Sequence, residues 1–465
     1  MDDFLNAIKD LVKKFKSLGD STVKIISHLD ADGLSSSAII ASAFKREGIK
    51  FSLQTVRQLD DSILDELKRE HSKIVFFLDL GSGSLSKIES VLNDREIFIL
   101  DHHTIENYKI KKINFLNPHL YGIDASRDIS CSGICYFFAK AMNKDNMDMA
   151  HVALLGAIGD MQENNGFDSD LNNFILDDAV NFGRVEVKVG LRMFGVQTRP
   201  LNKVLEYSTD PFIPNVTGSE EGAKRFIEEL GIDAKAGGRY KKLVQLSQED
   251  LKKLVTGIIL RRLGSEEQPD DVLGKIYLLD GEEDDSPMRS CKEYSTLLNA
   301  CGRMNKPSVG IGSCLGDTKA KEEAISLLLD YKREIINTLN WFHQNKNRFI
   351  HGDNYVIINA EDKIRDTMIG TLASIVSRNN IYEKGTVLVA MAYTIDGYIK
   401  ISVRSVYDQN IDLRKVINDI VGVVGGISGG HKYAAGALIE QEKEEEFINA
   451  CKKNLDKLIV VADNV

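Results

Sequence analysis

Along the first 150 residues, short apolar runs alternate with longer stretches whose apolar residues recur every three or four positions. The runs at 22–27, 74–78 and 97–100 are β-type. Ile74-Val75-Phe76-Phe77-Leu78 and Ile97-Phe98-Ile99-Leu100 contain no polar residue, which suits strands covered on both faces. Helical periodicity covers 2–17, 35–46, 60–70 and 133–142, so residues 1–190 predict a doubly wound parallel sheet. From 191 to 310 the chain turns polar and helical, with Gly237-Gly238 and the acidic run Glu282-Glu283-Asp284-Asp285 as boundary signals. Residues 319–348 read as one long amphipathic helix with Ala324, Leu327, Leu328, Ile335 and Leu339 near one stripe, making 311–350 a connecting segment. In 351–465, the runs 386–393 and 398–403 flank Asp396-Gly397, a hairpin signal, and 413–424 and 441–458 read as helices. Between those helices, 425–436 reads as a glycine-rich stretch whose backbone N–H groups suit a phosphate.

Composition sharpens this only at the margins. A chain of 465 residues exceeds one usual core, so two or three domains are expected. No stretch reaches the ~18 apolar residues of a membrane span, and Met1-Asp2-Asp3 lacks a basic-then-apolar leader, so a cytoplasmic protein without membrane partners is expected. Six cysteines without a C-x-x-C pair read as reduced structural residues, Cys131 and Cys135 sharing one helix face. The formal charge of −10 argues against a broad nucleic-acid-coating surface. It leaves open an enzyme whose cleft is made positive by bound metals.

Three clusters carry the candidate chemistry: Ser27-His28-Leu29-Asp30-Ala31-Asp32-Gly33, Asp79 after the second run, and Asp101-His102-His103 after the third. All stand where an open α/β sheet presents its functional loops. Carboxylates and imidazoles suit hard divalent cations, and a pair of cations needs a shared carboxylate, so the set reads as a two-metal site. If 28–32 stays extended, His28, Asp30 and Asp32 face one way, Gly33 turns the chain, and Ser35, Ser36 or Ser37 caps the next helix. Asp160 ends a helical run whose two glycines, Gly156 and Gly159, would allow close approach to the sheet, and supplies a fourth metal element. Residues 126–133 open another helix with Arg127, Ser130 and Ser132, either as a plain cap or as an anion site beside the metals.

This ordered series resembles the DHH phosphoesterases. Lys400-Ile401-Ser402-Val403-Arg404-Ser405 and Gly425-Gly426-Ile427-Ser428-Gly429-Gly430-His431 are similar to that family's associated domain. Leu297-Leu298-Asn299-Ala300-Cys301-Gly302-Arg303-Met304 and Asp366-Thr367-Met368-Ile369-Gly370-Thr371 resemble segments of archaeal RecJ-like nucleases. The resemblance implies an N-terminal parallel-sheet DHH domain (1–190), an interposed helical module (191–310), a connecting helix (311–350) and a C-terminal α/β DHH-associated domain (351–465). It implies two Mn2+ or Mg2+ ions, with Asp79 bridging, Asp30 and His28 completing one site, and Asp32, His102 and Asp160 the other. Relatives place the first histidine four residues before the aspartate, where this chain has Ile26, so His28 stands in a different position. His103 would contact the scissile phosphate, with Asp101 orienting the histidines. Arg404, Gly429, Gly430 and His431 would grip substrate. The implied activity is 5′→3′ exonucleolysis of single-stranded DNA or RNA in replication or repair, with the replication factor GINS as a partner to test. A phosphodiesterase for short oligonucleotides or cyclic dinucleotides, and a catalytically silent replication scaffold, are the alternatives.

Overall fold

The apolar runs become neighbouring strands because each can be covered on both faces. In the computed structural model, residues 1–462 are described apart from 20, 164, 209–210, 265–267, 380 and 407–410. Strands β1 (Val23–His28), β2 (Phe51–Val56), β3 (Ile74–Leu78), β4 (Glu96–Leu100) and β5 (Asn114–Leu116) form one parallel sheet in the order β2-β1-β3-β4-β5. The helices packed around it are α1 (Asp2–Ser17), α2 (Ala31–Arg46), α3 (Asp61–Arg69), α4 (Leu85–Val91), α5 (Cys131–Met142), α6 (Ala150–Gly159) and α7 (Asp170–Asn181). On one face Ile26, Val75, Phe77 and Ile99 pack with Leu64, Leu67, Ile88 and Leu92 of α3 and α4 and the turn after them. On the other, Phe15, Phe44 and Phe138 of α1, α2 and α5 gather around Phe76 and Phe98, whose rings stack 4.7 Å apart. Each such buried ring contributes roughly 1.5–3 kcal/mol, enough to hold the strand ends that carry the polar clusters.

The next segment contains β6 (Val185–Leu191), α8 (Leu201–Glu206), α9 (Glu220–Glu229), the short hairpin β7 (Lys235–Ala236) and β8 (Arg239–Tyr240), α10 (Gln248–Arg262) and β9 (Leu273–Leu279). Its helices enclose their own core of Leu201, Val204, Phe226, Ile227, Leu254 and Ile258. The segment is helical as expected, but it is framed by an antiparallel β6–β9 pair that polar composition did not reveal. It also closes earlier than residue 310: α11 (Cys291–Arg303) and α12 (Pro307–Cys314) return to α2 and α6, where Asn299 Oδ1 accepts the Ala31 N–H at 3.0 Å.

Residues 1–328 and 329–465 form two compact units, with α13 (Thr318–Asn345) running through the boundary. The second unit contains β10 (Ile350–His351), β11 (Tyr355–Asn359), α14 (Asp366–Arg378), β12 (Val387–Tyr393), β13 (Tyr398–Ser405), α15 (Leu413–Val424), β14 (Ile427–His431), β15 (Ala434–Glu440) and α16 (Glu444–Ala462). Its sheet order is β10-β11-β12-β13-β15-β14. Ile401, Val403, Ala435, Ala437 and Ile439 point toward α15 and α16, and α14 packs over β12 and β13 on the opposite face. The expected glycine-rich loop is instead mostly the β14–β15 hairpin, with β14 at the sheet edge. Glycine is required there by packing: a Cβ on Gly436 would lie 2.7 Å from the Ile401 carbonyl oxygen, and Gly430 has φ +124°.

Candidate metal centre

The three polar clusters meet at the carboxyl ends of β1, β3 and β4. In a sheet ordered 2-1-3-4-5, the crossovers leave β1 in opposite directions, opening a crevice between β1 and β3 where ligands bind. His28 ends β1, Asp79 follows β3, and Asp101 follows β4. The segment after β1 is not extended, which corrects the alternation expected from the sequence. Asp30 caps α2, accepting the Gly33 N–H at 3.0 Å, and Asp32 already lies in the helix's first turn. Asp-x-x-Gly offers this cap five residues before Ser35, the first of Ser35, Ser36 and Ser37, which are buried inside the helix. Gly33 serves close approach rather than a turn, since a Cβ there would stand 2.3 Å from the His28 carbonyl oxygen.

Asp79 is the centre of the arrangement. It is buried, and its backbone is held in the left-handed region at φ 62° by its N–H bond to the Leu100 carbonyl and by the packed strands beside it. One of its oxygens, Oδ2, lies 3.4 Å from His28 Nδ1, which is 2.9 Å from Asp30 Oδ2. The other, Oδ1, lies 3.4 Å from His102 Nε2, which is 3.2 Å from Asp160 Oδ2 and 3.9 Å from Asp32 Oδ2. Two donor groups thus meet at one carboxylate: His28, Asp30 and Asp79 on one side, and Asp32, His102 and Asp160 on the other, which Asp79 joins through its approach to His102. Both Asp79 oxygens, His28 Nδ1, His102 Nε2 and Asp160 Oδ2 are buried without a hydrogen-bond partner of acceptable geometry. Five such atoms converging on one space would be costly for a purely structural cluster and match the oxygen and nitrogen donors that hard divalent cations take.

Charge balance points the same way. Burial disfavours charge on His28 and His102, yet Asp30 and Asp79 around the first, and Asp160 and Asp79 around the second, hold both imidazoles well above the ordinary histidine value. Burial, reinforced by Asp160 and Asp79, pushes the Asp32 carboxyl up, and burial also raises Asp160 against the pull of His102. Asp30 goes the other way, because His28 and the Gly33 N–H outweigh its burial. The cluster therefore balances its carboxylates with protons, in positions that a divalent cation would take over.

Surrounding residues fix the donors. Asp101 is fully buried and accepts the backbone N–H groups of Ser82, His102 and His103 at 2.8, 2.8 and 3.2 Å, with His103 Nδ1 at 2.8 Å. Its carboxylate orients only the His103 ring; the His102 ring is turned by the Ala125 carbonyl, 3.0 Å from Nδ1, which aims Nε2 at the carboxylates. Asn117 donates to both Ser82 Oγ and the His103 carbonyl at 2.9 Å, bracing the two donor loops. Asn117 and Asn299 were not singled out as site residues by sequence, because their bonds reach 35 and 268 residues along the chain. Asp160 follows α6, as expected. The Gly156 and Gly159 approaches are made to helices rather than to the sheet: added Cβ atoms would lie 2.1 Å from Ser132 Oγ and 2.8 Å from Ala31 Cβ.

The start of α5 is already occupied. Asp32 accepts the Cys131 and Ser132 N–H groups at 2.7 and 2.9 Å, so the anion at this helix N-terminus is the protein's own carboxylate. This corrects the substrate role expected for Ser130 and Ser132. Ser130 caps α5, Ser132 donates to the Ala153 carbonyl, and both are fully buried. Arg127 is exposed beside Asp128. Cys131 and Cys135 are buried on one helix face, as expected. In the second unit, Arg404 donates from Nε to Ser374 Oγ of α14 at 3.0 Å. Strand alternation puts Arg404, Ala434, Gly436 and Gly429 on the same sheet face, with the opposed pair Gly429 and Gly436 making a stretch free of side chains; the His431 side chain lies outside the described residues. Gly430 faces the other way, toward α15, with Ala435.

Comparison with known proteins agrees with this architecture. Residues 22–159 match the N-terminal domain of the DHH family, 193–273 the DHH-CID domain and 352–457 the DHHA1 domain. The chain is 30% identical over 471 residues to the protein MJ0831 of Methanocaldococcus jannaschii, covering 98% of each. Among solved structures it is similar to RecJ of Thermus thermophilus in complex with Mn2+ (TM-score 0.60, 13% identity), matching 97% of this chain but only 55% of that one, so it spans about half of that RecJ. It is also similar to CDC45 of Entamoeba histolytica (TM-score 0.62, 14% identity), matching 97% and 98% of the two chains. No described helix is long and apolar enough to cross a membrane.

Proposed function

The chain belongs to the DHH family, and on that basis we propose that it is a metal-dependent phosphodiesterase that shortens single-stranded DNA or RNA from the 5′ end. The observation that carries this reading is the sharing of Asp79 between two complete donor groups that contain five unpartnered buried atoms. His28, Asp30 and Asp79 would hold one Mn2+ or Mg2+ ion, and Asp79, His102, Asp32 and Asp160 a second. When bound, such a pair supplies acidified water and charge neutralisation on the phosphate oxygens. The protein's own part is positioning. Asp101 keeps the His103 imidazolium charged, with its pKa up at about 9 because the carboxylate overrides burial, so His103 can donate to a scissile phosphate oxygen. The carboxyl-end loops set that geometry before substrate arrives. Arg404, Gly429, Gly430 and His431 are proposed to hold substrate phosphates, with Gly430 acting through its backbone.

A second reading is a non-hydrolysing replication scaffold, possible because the likeness to CDC45 spans both chains almost completely. GINS would be a natural partner under that reading. Asp79→Ala separates the two. The variant is expected to lose Mn2+-dependent hydrolysis of end-labelled DNA and RNA by at least about a thousand-fold, since no other residue holds both cations, while keeping its fold. Wild-type protein should release mononucleotides early from a linear strand and leave a closed circle intact. Hydrolysis that survives in Asp79→Ala, or in excess chelator, removes the two-metal reading; absence of hydrolysis in the wild type with either metal favours the scaffold.

A further inference from the structure

A large groove in the first unit lies away from the metal centre. Its volume is about 840 Å³, and it is formed where the chain enters β3, β4 and β5, at the end of the sheet opposite Asp79. Its lining comes from Lys14 and from three connections, 70–73, 93–96 and 111–114. These are cross-braced. Arg95 donates to the carbonyls of Ser72, Glu70 and Lys68 at 2.6, 2.5 and 3.2 Å. Glu96 N–H donates to the Lys73 carbonyl, and buried Glu89 accepts the Lys111 and Lys112 N–H groups at 3.0 and 2.6 Å.

Charge in the groove is one-sided once its ion pairs are removed. Glu70 pairs with Lys24 at 2.6 Å, Asp94 with Arg95 at 3.5 Å and Glu96 with Lys14 at 3.9 Å. Lys73, Lys111 and Lys112 remain, exposed, and among the described residues none has a carboxylate within 4.0 Å. These three ammonium groups gather in one groove, on cross-braced connections, in a chain whose net charge is −10. The lining offers no exposed apolar anchor, since Ile113 is buried, and this argues against a protein segment, whose affinity normally rests on buried aromatic or aliphatic contacts. A lining of lysines without Phe, Tyr or Trp suits phosphates along a backbone rather than bases.

We propose that this groove is a second nucleic-acid site, in which Lys73, Lys111 and Lys112 hold phosphates of a single strand at a distance from the reacting bond. It rests on the nuclease reading for its biological sense, but the binding itself does not require hydrolysis. The consequence is a preference for long strands: a di- or trinucleotide meets only the metal centre, while a longer strand gains the distant contacts.

The test is equilibrium binding of a fluorescent strand about 20 nucleotides long, beyond the ~4–16-nucleotide sites typical of a single module, in chelator so that nothing is cut. Lys73→Ala/Lys111→Ala/Lys112→Ala is expected to raise Kd roughly ten-fold or more and to make the log Kd against log salt slope shallower by about 2, at ~0.7 for each phosphate no longer neutralised. Thermal unfolding of the full chain checks that these exposed substitutions leave the fold intact, and Mn2+-dependent turnover of a dinucleotide should stay at the wild-type rate. Unchanged strand affinity and slope in a folded triple variant overturn the proposal. So does tighter lysine-dependent binding of poly-glutamate than of the strand. Asp79→Ala should still bind the strand through the lysines, so loss of the nuclease reading and loss of this site give different results.

Discussion

At the scale of single residues, Asp79 and Asp101-His102-His103 were legible because each follows a run with no polar member, so an Asp or His at the strand end stands out. What the spacing misread was the conformation between them: His28, Asp30 and Asp32 looked like alternate positions of a strand, whereas Asp30 caps α2 and Asp32 reaches the start of α5. The Asp30-x-x-Gly33 spacing was the available signal, since an N-cap carboxylate accepts from the third helical N–H. The Asp101–His103 pair also gives a pH dependence. His103 has a folded pKa of about 9, above its unfolded value of about 6.5. In chelated protein its contribution is therefore complete below about pH 6.5 and disappears as pH rises through about 9. The side chain is more than a third exposed, so the effect is at most about 1 kcal/mol. Thermal unfolding from pH 6 to 10 should show a decline that His103→Gln flattens, and a wild-type curve no steeper than the variant's would contradict the pairing.

For whole elements, sequence found those with strong periodicity and lost those that depend on neighbours. The runs of β3 and β4 were read nearly to the residue, because continuous apolar strands need no context. β5 is only three residues long, and β14 is built around glycines whose role is packing against β15, so neither carries a local strand signal. The placement of α11 is equally non-local. It braces α2 from 268 residues away, through Asn299 and through Gly302, where a Cβ would stand 1.8 Å from the Leu29 carbonyl oxygen. Asn299→Ala removes the acceptor for the Ala31 N–H and is expected to cost about 1–3 kcal/mol. It should also weaken Mn2+ binding, because Asp30 and Asp32 flank that N–H. Calorimetry on both, with Asn299→Asp restoring the acceptor, separates this from loss of bulk; equal metal affinity in Asn299→Ala and wild type would show that α11 supports the fold alone.

Across the whole molecule, the order of sheet domain, helical segment, long helix and second sheet was readable, but the point where the helical segment ends was not. The glycine pair lies at 237–238 and the acidic run at 282–285, whereas the segment's own core stops at Val272, and α11 and α12 then rejoin the first domain through contacts no composition shift records. The β6–β9 pair has a topological meaning beyond its packing. Leu191 and Leu273 sit directly opposite one another, so everything between them leaves and re-enters through one doorway the width of a strand pair. The segment is, in effect, an overgrown hairpin turn. Replacing 192–272 with a two-residue Asn-Gly turn, the connection that matches the twist of such a pair, should yield a shorter chain that still folds and still binds Mn2+ through Asp79, because every proposed metal donor lies at or before Asp160. If the shortened chain is soluble and helical yet fails to bind the ion, the segment is part of the catalytic body; if it binds, the fold carries a cassette that can be exchanged without rebuilding the site.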